Sequence, residues 1–266
     1  MKILVSTSFK GGSGKTTNTF NLAGVLAEDK RVLGIDIDPQ CNLTLDCGVN
    51  ALDLKRLSIK DVYENNRKEQ PRPEEVIIKS PIKQLKNFDI IPSNPYIFAT
   101  DRRINGISGR DNILKNYFKT NREFFEKNYD YIIIDTNASM SIVNCNAFLL
   151  ADHILLASDT SVNGIFGAIL FNELWENERE YLEKENNISA LIIGNNDRRT
   201  SLAEEVVEFL GKEGIGKIML KTIVPYTSKI KRAEGMHVPV SVYAPKEEIT
   251  QIYKQIRKEL EERGVL

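Results

Sequence analysis

Short apolar runs rich in Ile, Val and Leu recur along the chain at 3–6, 32–37, 88–91, 131–134, 154–157, 191–193 and 218–224. They are continuous rather than alternating, the pattern of strands covered on both faces. Between most of them apolar positions return at helical spacing, over 16–27, 113–126, 142–150, 165–182, 202–210 and 246–263. Strand, helix and strand in repetition predict parallel pairing through right-handed crossovers. The expected fold is therefore α/β, a doubly wound, mostly parallel sheet with helices on both faces. Ligands of such sheets bind beyond the carboxyl ends of the strands. One interval, about 50–87, breaks the rhythm: it is polar and charged and carries Pro71, Pro73 and Pro81. It reads as short helices and loops over the surface, an excursion from a single nucleotide-binding domain spanning 1–266.

Composition narrows the function classes. With 41% hydrophobic residues in 266, the chain can bury a sizeable core. Thirty-six Lys and Arg against 37 Asp and Glu exclude a histone-like or tail-driven nucleic-acid binder, so a polyanion would have to be held by a local patch. No run approaches the roughly 20 apolar residues that span a bilayer. The first residues lead into a strand-like stretch instead of a signal peptide, so a cytoplasmic protein is expected. The cysteines, Cys41, Cys47 and Cys145, have no CxxC spacing, and the histidines, His153 and His237, are too scattered for a metal site.

The chemistry gathers after the first predicted strand, in Phe9-Lys10-Gly11-Gly12-Ser13-Gly14-Lys15-Thr16-Thr17, which opens a helical pattern. Glycines at 11, 12 and 14 let backbone N–H groups converge on phosphate oxygens, Lys15 can reach the β and γ phosphates, and the Thr16 hydroxyl suits Mg²⁺. Where the general phosphate-loop pattern has its first glycine, this chain has Phe9, followed by a second lysine, Lys10. The second strand runs into Asp36-Ile37-Asp38-Pro39-Gln40-Cys41-Asn42. Alternation puts Asp36 and Asp38 on one face and Pro39 ends the strand, which places both carboxylates near its carboxyl edge. The fourth predicted strand, at 131–134, closes on Asp135, the general form of an element that approaches Mg²⁺.

The 10–17 run resembles the deviant Walker A motif, KGGxGKT, of the ParA/MinD family of P-loop ATPases. The 36–42 run resembles the D-x-D-P-Q-G-N segment of the ParA branch, with Cys41 for the glycine. The resemblance implies ATP and Mg²⁺ as cofactors, with nucleotide held by Gly11, Gly12, Ser13, Gly14, Lys15, Thr16 and Thr17. It implies that Lys10 reaches across a dimer interface to the partner's phosphates. Thr16, Asp36 and Asp135 would attend the metal, the carboxylates through water, and Asp38 would orient the attacking water. The catalytic set is then Lys10, Lys15 and Asp38. One departure matters: Asp135-Thr136 is followed by Asn137-Ala138, where the family has two prolines. Their loss removes rigidity from the second switch segment and leaves the hydrolysis rate open.

Further along, 194–202 resembles the ParA segment ending in Asp-x-Arg-Thr. This implies Asn195 or Asn196 at the adenine edge and Arg199 as the DNA-contacting arginine, with Arg198 beside it. The 224–233 stretch falls where ParA proteins have Pro-Arg-Asn-x-Arg: Pro225 would lie under the adenine, Tyr226 replaces the arginine, and Lys229, Lys231 and Arg232 supply charge. With Arg198 and Arg199 they form the positive strip expected for phosphate contacts without base readout. No helix-turn-helix module is expected before the first strand, as in the short Soj-like type. The implied protein is a slow, partner-stimulated ATPase of plasmid or chromosome partitioning, cytoplasmic and nucleoid-associated. It would be a homodimer when ATP-bound, on nonspecific double-stranded DNA, with a ParB-like centromere-binding partner and no membrane.

Three rivals stand beside this expectation. A MinD-like membrane-cycling ATPase would end in a lipid-facing helix. Here Ile249, Ile252, Tyr253, Ile256 and Leu260 form one stripe against Glu259, Glu261 and Glu262, the pattern of a helix packed on its own core. A metabolic P-loop ligase or an iron–sulfur reductase is the second, but one cysteine such as Cys145 per subunit cannot complete a four-thiolate cluster. The third is a nucleotide-gated scaffold that scarcely hydrolyses ATP, kept open by the missing prolines.

Overall fold

The computed structural model describes residues 1–64, 70–194, 209–210 and 214–266. Asn195, Asn196, Arg198, Arg199 and most of the helix expected over 202–210 lie outside the described residues. Seven strands, β1 (Lys2–Thr7), β2 (Val32–Asp36), β3 (Ile78–Lys79), β4 (Phe88–Ile91), β5 (Tyr131–Asp135), β6 (His153–Asp159) and β7 (Ile188–Gly194), form one sheet in the order β3-β4-β2-β5-β1-β6-β7. Every pairing is parallel except that of β3 with β4. The described helices are α1 (Lys15–Leu26), α2 (Asn42–Asp46), α3 (Ile59–Glu64), α4 (Pro73–Val76), α5 (Thr100–Ile104), α6 (Ile113–Thr120), α7 (Arg122–Asn128), α8 (Ile142–Leu150), α9 (Val162–Tyr181), α10 (Ser228–Gly235), α11 (Val240–Tyr243) and α12 (Glu248–Glu262).

The continuous apolar runs have the predicted consequence. Along β1, Ile3 and Val5 enter one apolar cluster while Leu4 enters another; β5 splits Ile132 and Ile134 from Ile133 in the same way. Successive side chains point to opposite faces of a strand, so a run that is apolar throughout builds a core on each side. One core gathers Phe148, Phe171 and Trp175 from α8 and α9 with Tyr63 and Tyr117. The other gathers Phe20 and Leu22 of α1 with Tyr253, Ile256 and Leu260 of α12. The last helix thus buries its stripe against its own chain, as its pattern predicts, and among the described residues no helix is long and apolar enough to cross a membrane.

Three expectations need correction. The excursion at 50–87 is not confined to the surface: Ile59, Val62 and Tyr63 of α3 are fully buried, the Tyr63 hydroxyl donates to Val143 O at 3.0 Å, and β3 extends the sheet edge. Some of its apolar residues, Leu52 and Leu54 among them, are exposed, but those of α3 face inward, a signal that the surrounding charge obscures. The helix expected over 113–126 breaks at Asn121, whose amide takes Tyr117 O at 2.9 Å in competition with the helical ladder. The break stacks Phe118 on Phe125, with ring centroids 4.2 Å apart. The run at 218–224 is not a strand. Leu220 N and Val224 N reach Leu191 O and Ile193 O, each at 2.9 Å, but between them the amides of Lys221 and Thr222 turn to the buried Glu259 carboxylate.

Cys41, at the N-terminus of α2, has φ 56 and ψ 30, the left-handed region that costs a side chain about 1–2 kcal/mol. The resembled motif has glycine at this position. Cys41→Ala keeps that strain and loses a buried sulfur. Cys41→Gly loses more buried volume and releases the strain. We expect Cys41→Ala to lower stability by about 1 kcal/mol and Cys41→Gly by less, an inversion of the usual order of size that urea unfolding of the two variants checks.

Candidate active site

Strand register assembles the site. Ser6 of β1 and Asp36 of β2 both pair with Asp135 of β5, so the carboxyl ends of the three central strands meet at one place. The turn from β1 into α1 lies over them, with Gly12 and Gly14 at φ 78 and 82, a backbone that only glycine adopts without strain. A cavity of about 820 Å³ opens above this loop, lined by residues 10–18 together with Asp38, Asn137, Ala138, Pro225, Tyr226 and Lys231 among others.

Within the loop, Lys15 Nζ stands 3.3 Å from Asp135 Oδ1 and 3.6 Å from Asp38 Oδ2. The Thr16 hydroxyl donates to Asp135 Oδ2 at 2.7 Å, and Thr19 donates to Oδ1 at 3.2 Å. Asp135 is fully buried; burial raises its pKa, opposed by Lys15 and Thr16. Asp36 is also fully buried, and burial together with the Asp135 charge raises its pKa. Its oxygens accept from Thr44 N at 2.8 Å, Thr44 Oγ1 at 2.7 Å and Asp38 N at 3.0 Å. Asp38 therefore faces the cavity, while Asp36 and Asp135 lie beneath its floor.

The residues suit a phosphate chain with a divalent cation. Two buried polar groups beside the loop, Ser13 Oγ and Asn18 Nδ2, have no hydrogen-bond partner among the described residues. Asn18 Oδ1 accepts from the Tyr253 hydroxyl at 3.0 Å, which fixes the amide with Nδ2 as the free donor. Buried donors without acceptors at the N-terminus of a helix are what an anion satisfies. Thr16, at the cavity with Asp135 behind it, is an oxygen donor set of the kind Mg²⁺ takes, with water completing the shell.

The early lysine has a partner in its own chain. Lys10 Nζ pairs with Asp159, at the end of β6, and donates to Ser161 Oγ at 2.8 Å. Burial would raise the Asp159 pKa, but bonds from Lys10 and Ser161 hold it below the ordinary carboxylate value. Phe9 is tolerated in place of the usual glycine because its ring leaves the loop and packs edge-on against Phe171, with centroids 5.2 Å apart. Asp159 and Ser161 are site residues that the sequence reading missed, although a strand closing on Asp and then a helix-capping Ser is the same signal that singled out Asp135.

Asp46 and Glu234 were also missed, and no motif marks them. Thr17 Oγ1 donates to Glu234 at 2.8 Å, and burial pushes the nearby Asp46 carboxyl up to about 7, with the Glu234 and Asp135 charges adding and Lys231 opposing. An unfolded Asp loses its proton near pH 4, so between about pH 4 and 7 ionisation weakens the fold. Asp46→Asn should therefore raise the melting temperature at pH 8 and leave it unchanged at pH 4, which scanning calorimetry of the nucleotide-free protein reads.

Of the predicted DNA strip, Lys229, Lys231 and Arg232 are among the described residues. Lys229 pairs with Glu247; Lys231 pairs with Glu234 at 2.8 Å and stands at the rim of the nucleotide cavity; both Lys231 and Arg232 are exposed. Helical spacing sets Lys231 apart, because Ile230 and Ala233 of α10 are buried and the residues between them turn to different sides. Arg198, Arg199, Asn195 and Asn196 lie outside the described residues. Pro225 is buried at the cavity and Tyr226 is exposed at its rim. Cys145 is buried and its thiol is pushed up to about 12, which leaves it inert.

Comparisons with known proteins agree with this geometry. A family model described as an AAA domain matches residues 1–195. The chain is 27% identical over 264 residues to the sporulation initiation inhibitor protein Soj of Bacillus subtilis, covering 99% of each. Among solved structures it is similar to the McdA–ATP complex of Cyanothece, at TM-score 0.82 and 20% identity, covering 98% of this chain and 96% of that one. It is similar too to a plasmid partition protein of Borrelia burgdorferi bound to AMPPNP, at TM-score 0.78 and 23% identity, covering 98% and 99%. With the 10–17 loop seated at the ends of β1, β2 and β5, the chain belongs to the AAA-domain family, in its ParA/MinD-type, deviant Walker A branch of P-loop ATPases.

Proposed function

We propose that this protein is an ATP-dependent dimerising ATPase of DNA segregation, holding nonspecific duplex DNA in its ATP state and releasing it on hydrolysis. The observation that carries this reading is the convergence of Lys15, Thr16 and Asp38 on one cavity with Lys10 at its edge. Gly11–Thr17 hold the phosphates of ATP through backbone N–H groups and Lys15, and Pro225 lies under the base. A bound Mg²⁺ would offset the negative charge of the phosphates. Thr16 would hold that cation and Asp135, through water, would attend it, while Asp36, its carboxylate fixed by Thr44 and the Asp38 N–H, would support the water shell from beneath. Asp38, at the cavity wall, takes the proton of the attacking water, and Lys15 with a partner subunit's Lys10 offsets the charge that develops.

The Lys10–Asp159 contact gives the cycle its order. Lys10 leaves Asp159 and Ser161 when a second copy presents phosphates, so the closed dimer requires ATP in both subunits. Closure doubles the basic surface at Lys229 and Arg232, which a near-neutral monomer needs to hold DNA. Lys229 then exchanges Glu247 for a backbone phosphate. A ParB-like partner stimulates hydrolysis, and the protein is cytoplasmic and nucleoid-associated. Light scattering with ADP, ATP and a slow analogue, each with and without nonspecific DNA, tests the reading. The expected result is a monomer with ADP, a dimer with the analogue, and DNA held by the dimer alone in a salt-dependent way. DNA retention that ignores the nucleotide would overturn it.

A further inference from the structure

The segment after Asp135 lacks its two prolines, yet a side chain holds it. Asn144, the third residue of α8, is fully buried, and its backbone N–H is capped by Ser141 Oγ at 3.2 Å. Its Nδ2 reaches back over the preceding loop to Asn137 Oδ1 and Ser139 O, each at 2.8 Å, and to Asn137 O at 3.1 Å and Ser139 Oγ at 3.3 Å. Two amide hydrogens are shared among four acceptors. The backbone carbonyls can only accept, so the amide nitrogen must be the atom that faces them. Ser139 Oγ in turn donates to Asn137 Oδ1, closing a ring around Ala138. On the near side Thr136 Oγ1 donates to Ser6 O at 3.0 Å. Asn144 Oδ1 is buried with no partner among the described residues, so the side chain takes this orientation although its own acceptor is left unsatisfied.

Asn137 and Ala138 line the nucleotide cavity. We propose that Asn144 is the positioning residue of this cavity wall: its amide clamps Asn137 and Ser139 and supplies the stiffness that prolines give elsewhere, so that the wall stays in place opposite Lys15 and Asp38. The proposal rests on the hydrolytic reading above for its effect on turnover, but not for its effect on the loop.

Two readouts separate those dependences. A spin label on Ala138→Cys reports the loop in the nucleotide-free protein. The native cysteines are buried, with the Cys41 and Cys145 thiols pushed up to about 12, so they leave the label to position 138. The label is expected to be immobilised with Asn144 present and mobile with Asn144→Ala. Asn144→Asp, which keeps the side-chain volume and replaces donors by acceptors, should do the same if the Ala variant does not fold. In the unlabelled variants kcat should fall about tenfold while the Kd for ATP stays within about twofold of the parent. A label equally mobile with and without Asn144, an unchanged kcat, or a Kd weakened as far as kcat would each overturn the clamp. If the parent shows no turnover, the hydrolytic reading fails and the label alone decides the clamp.

Discussion

Lys15→Ala is expected to abolish ATP binding at concentrations that saturate the parent, a loss of about a hundredfold or more in affinity. Lys15 is 9% exposed at the side chain and sits between Asp135 and Asp38, at 3.3 and 3.6 Å. Without nucleotide it neutralises two carboxylates; with nucleotide it must turn to the phosphates, and no other lysine of the same loop is placed to replace it, since Lys10 is held by Asp159. The substitution also leaves Asp135 buried without its cation, which by itself costs on the order of 3–5 kcal/mol unless the carboxyl takes up a proton. Asp135 already has a raised pKa, so protonation is the easier course, and the apo variant should lose stability progressively as pH rises. Calorimetric titration with ATP, alongside thermal melts at pH 6 and 8, separates the two effects. Binding within threefold of the parent's would remove Lys15 from the phosphate site.

For Asp38→Ala the expectation is opposite for binding and equal for turnover. Asp38 is 7% exposed and lines the cavity; its Oδ1 accepts from Gln40 N at 2.8 Å, which holds the carboxylate where it faces Lys15. Removing it takes a negative charge away from the phosphates, so ATP should bind as well as before or better. A positioned base contributes roughly 10²–10⁴ in rate, and hydrolysis should fall by that order. The variant would then persist as an ATP-bound dimer on DNA. An Asp38→Ala protein that scatters as a monomer with ATP contradicts the face-to-face arrangement, whatever its rate.

Much of the architecture is legible in local chemistry. The apolar runs at 3–6 and 131–134 could only be strands covered on both faces, and the glycines of 10–17 admit the left-handed turns at Gly12 and Gly14 that let a backbone curl around an anion. Asp36, Asp38 and Asp135 are visible because each closes or follows such a strand. What periodicity does not carry is pairing across long separations. Lys10 and Asp159 are 149 positions apart, and Thr17 and Glu234 are 217 apart. Asp159 and Glu234 alone look like solvated surface charges, and only the sheet order brings the ends of β1 and β6 together.

The same limit explains the loop at 137–139 and the strip at 229–232. Missing prolines read as lost stiffness because backbone rigidity is the part of the effect that a linear chain displays; the Asn144 contacts arise because α8 folds its third residue back over the loop that precedes it. The basic residues read as one strip because they are adjacent in sequence, whereas a helix turns them apart and gives Lys229 and Lys231 separate acidic partners. Sequence by itself determined the central strands, the phosphate loop and the carboxylates that close or follow those strands, since each depends on residues near one another. Tertiary structure alone decided which charges are already paired, because burial and distance between remote residues set that balance.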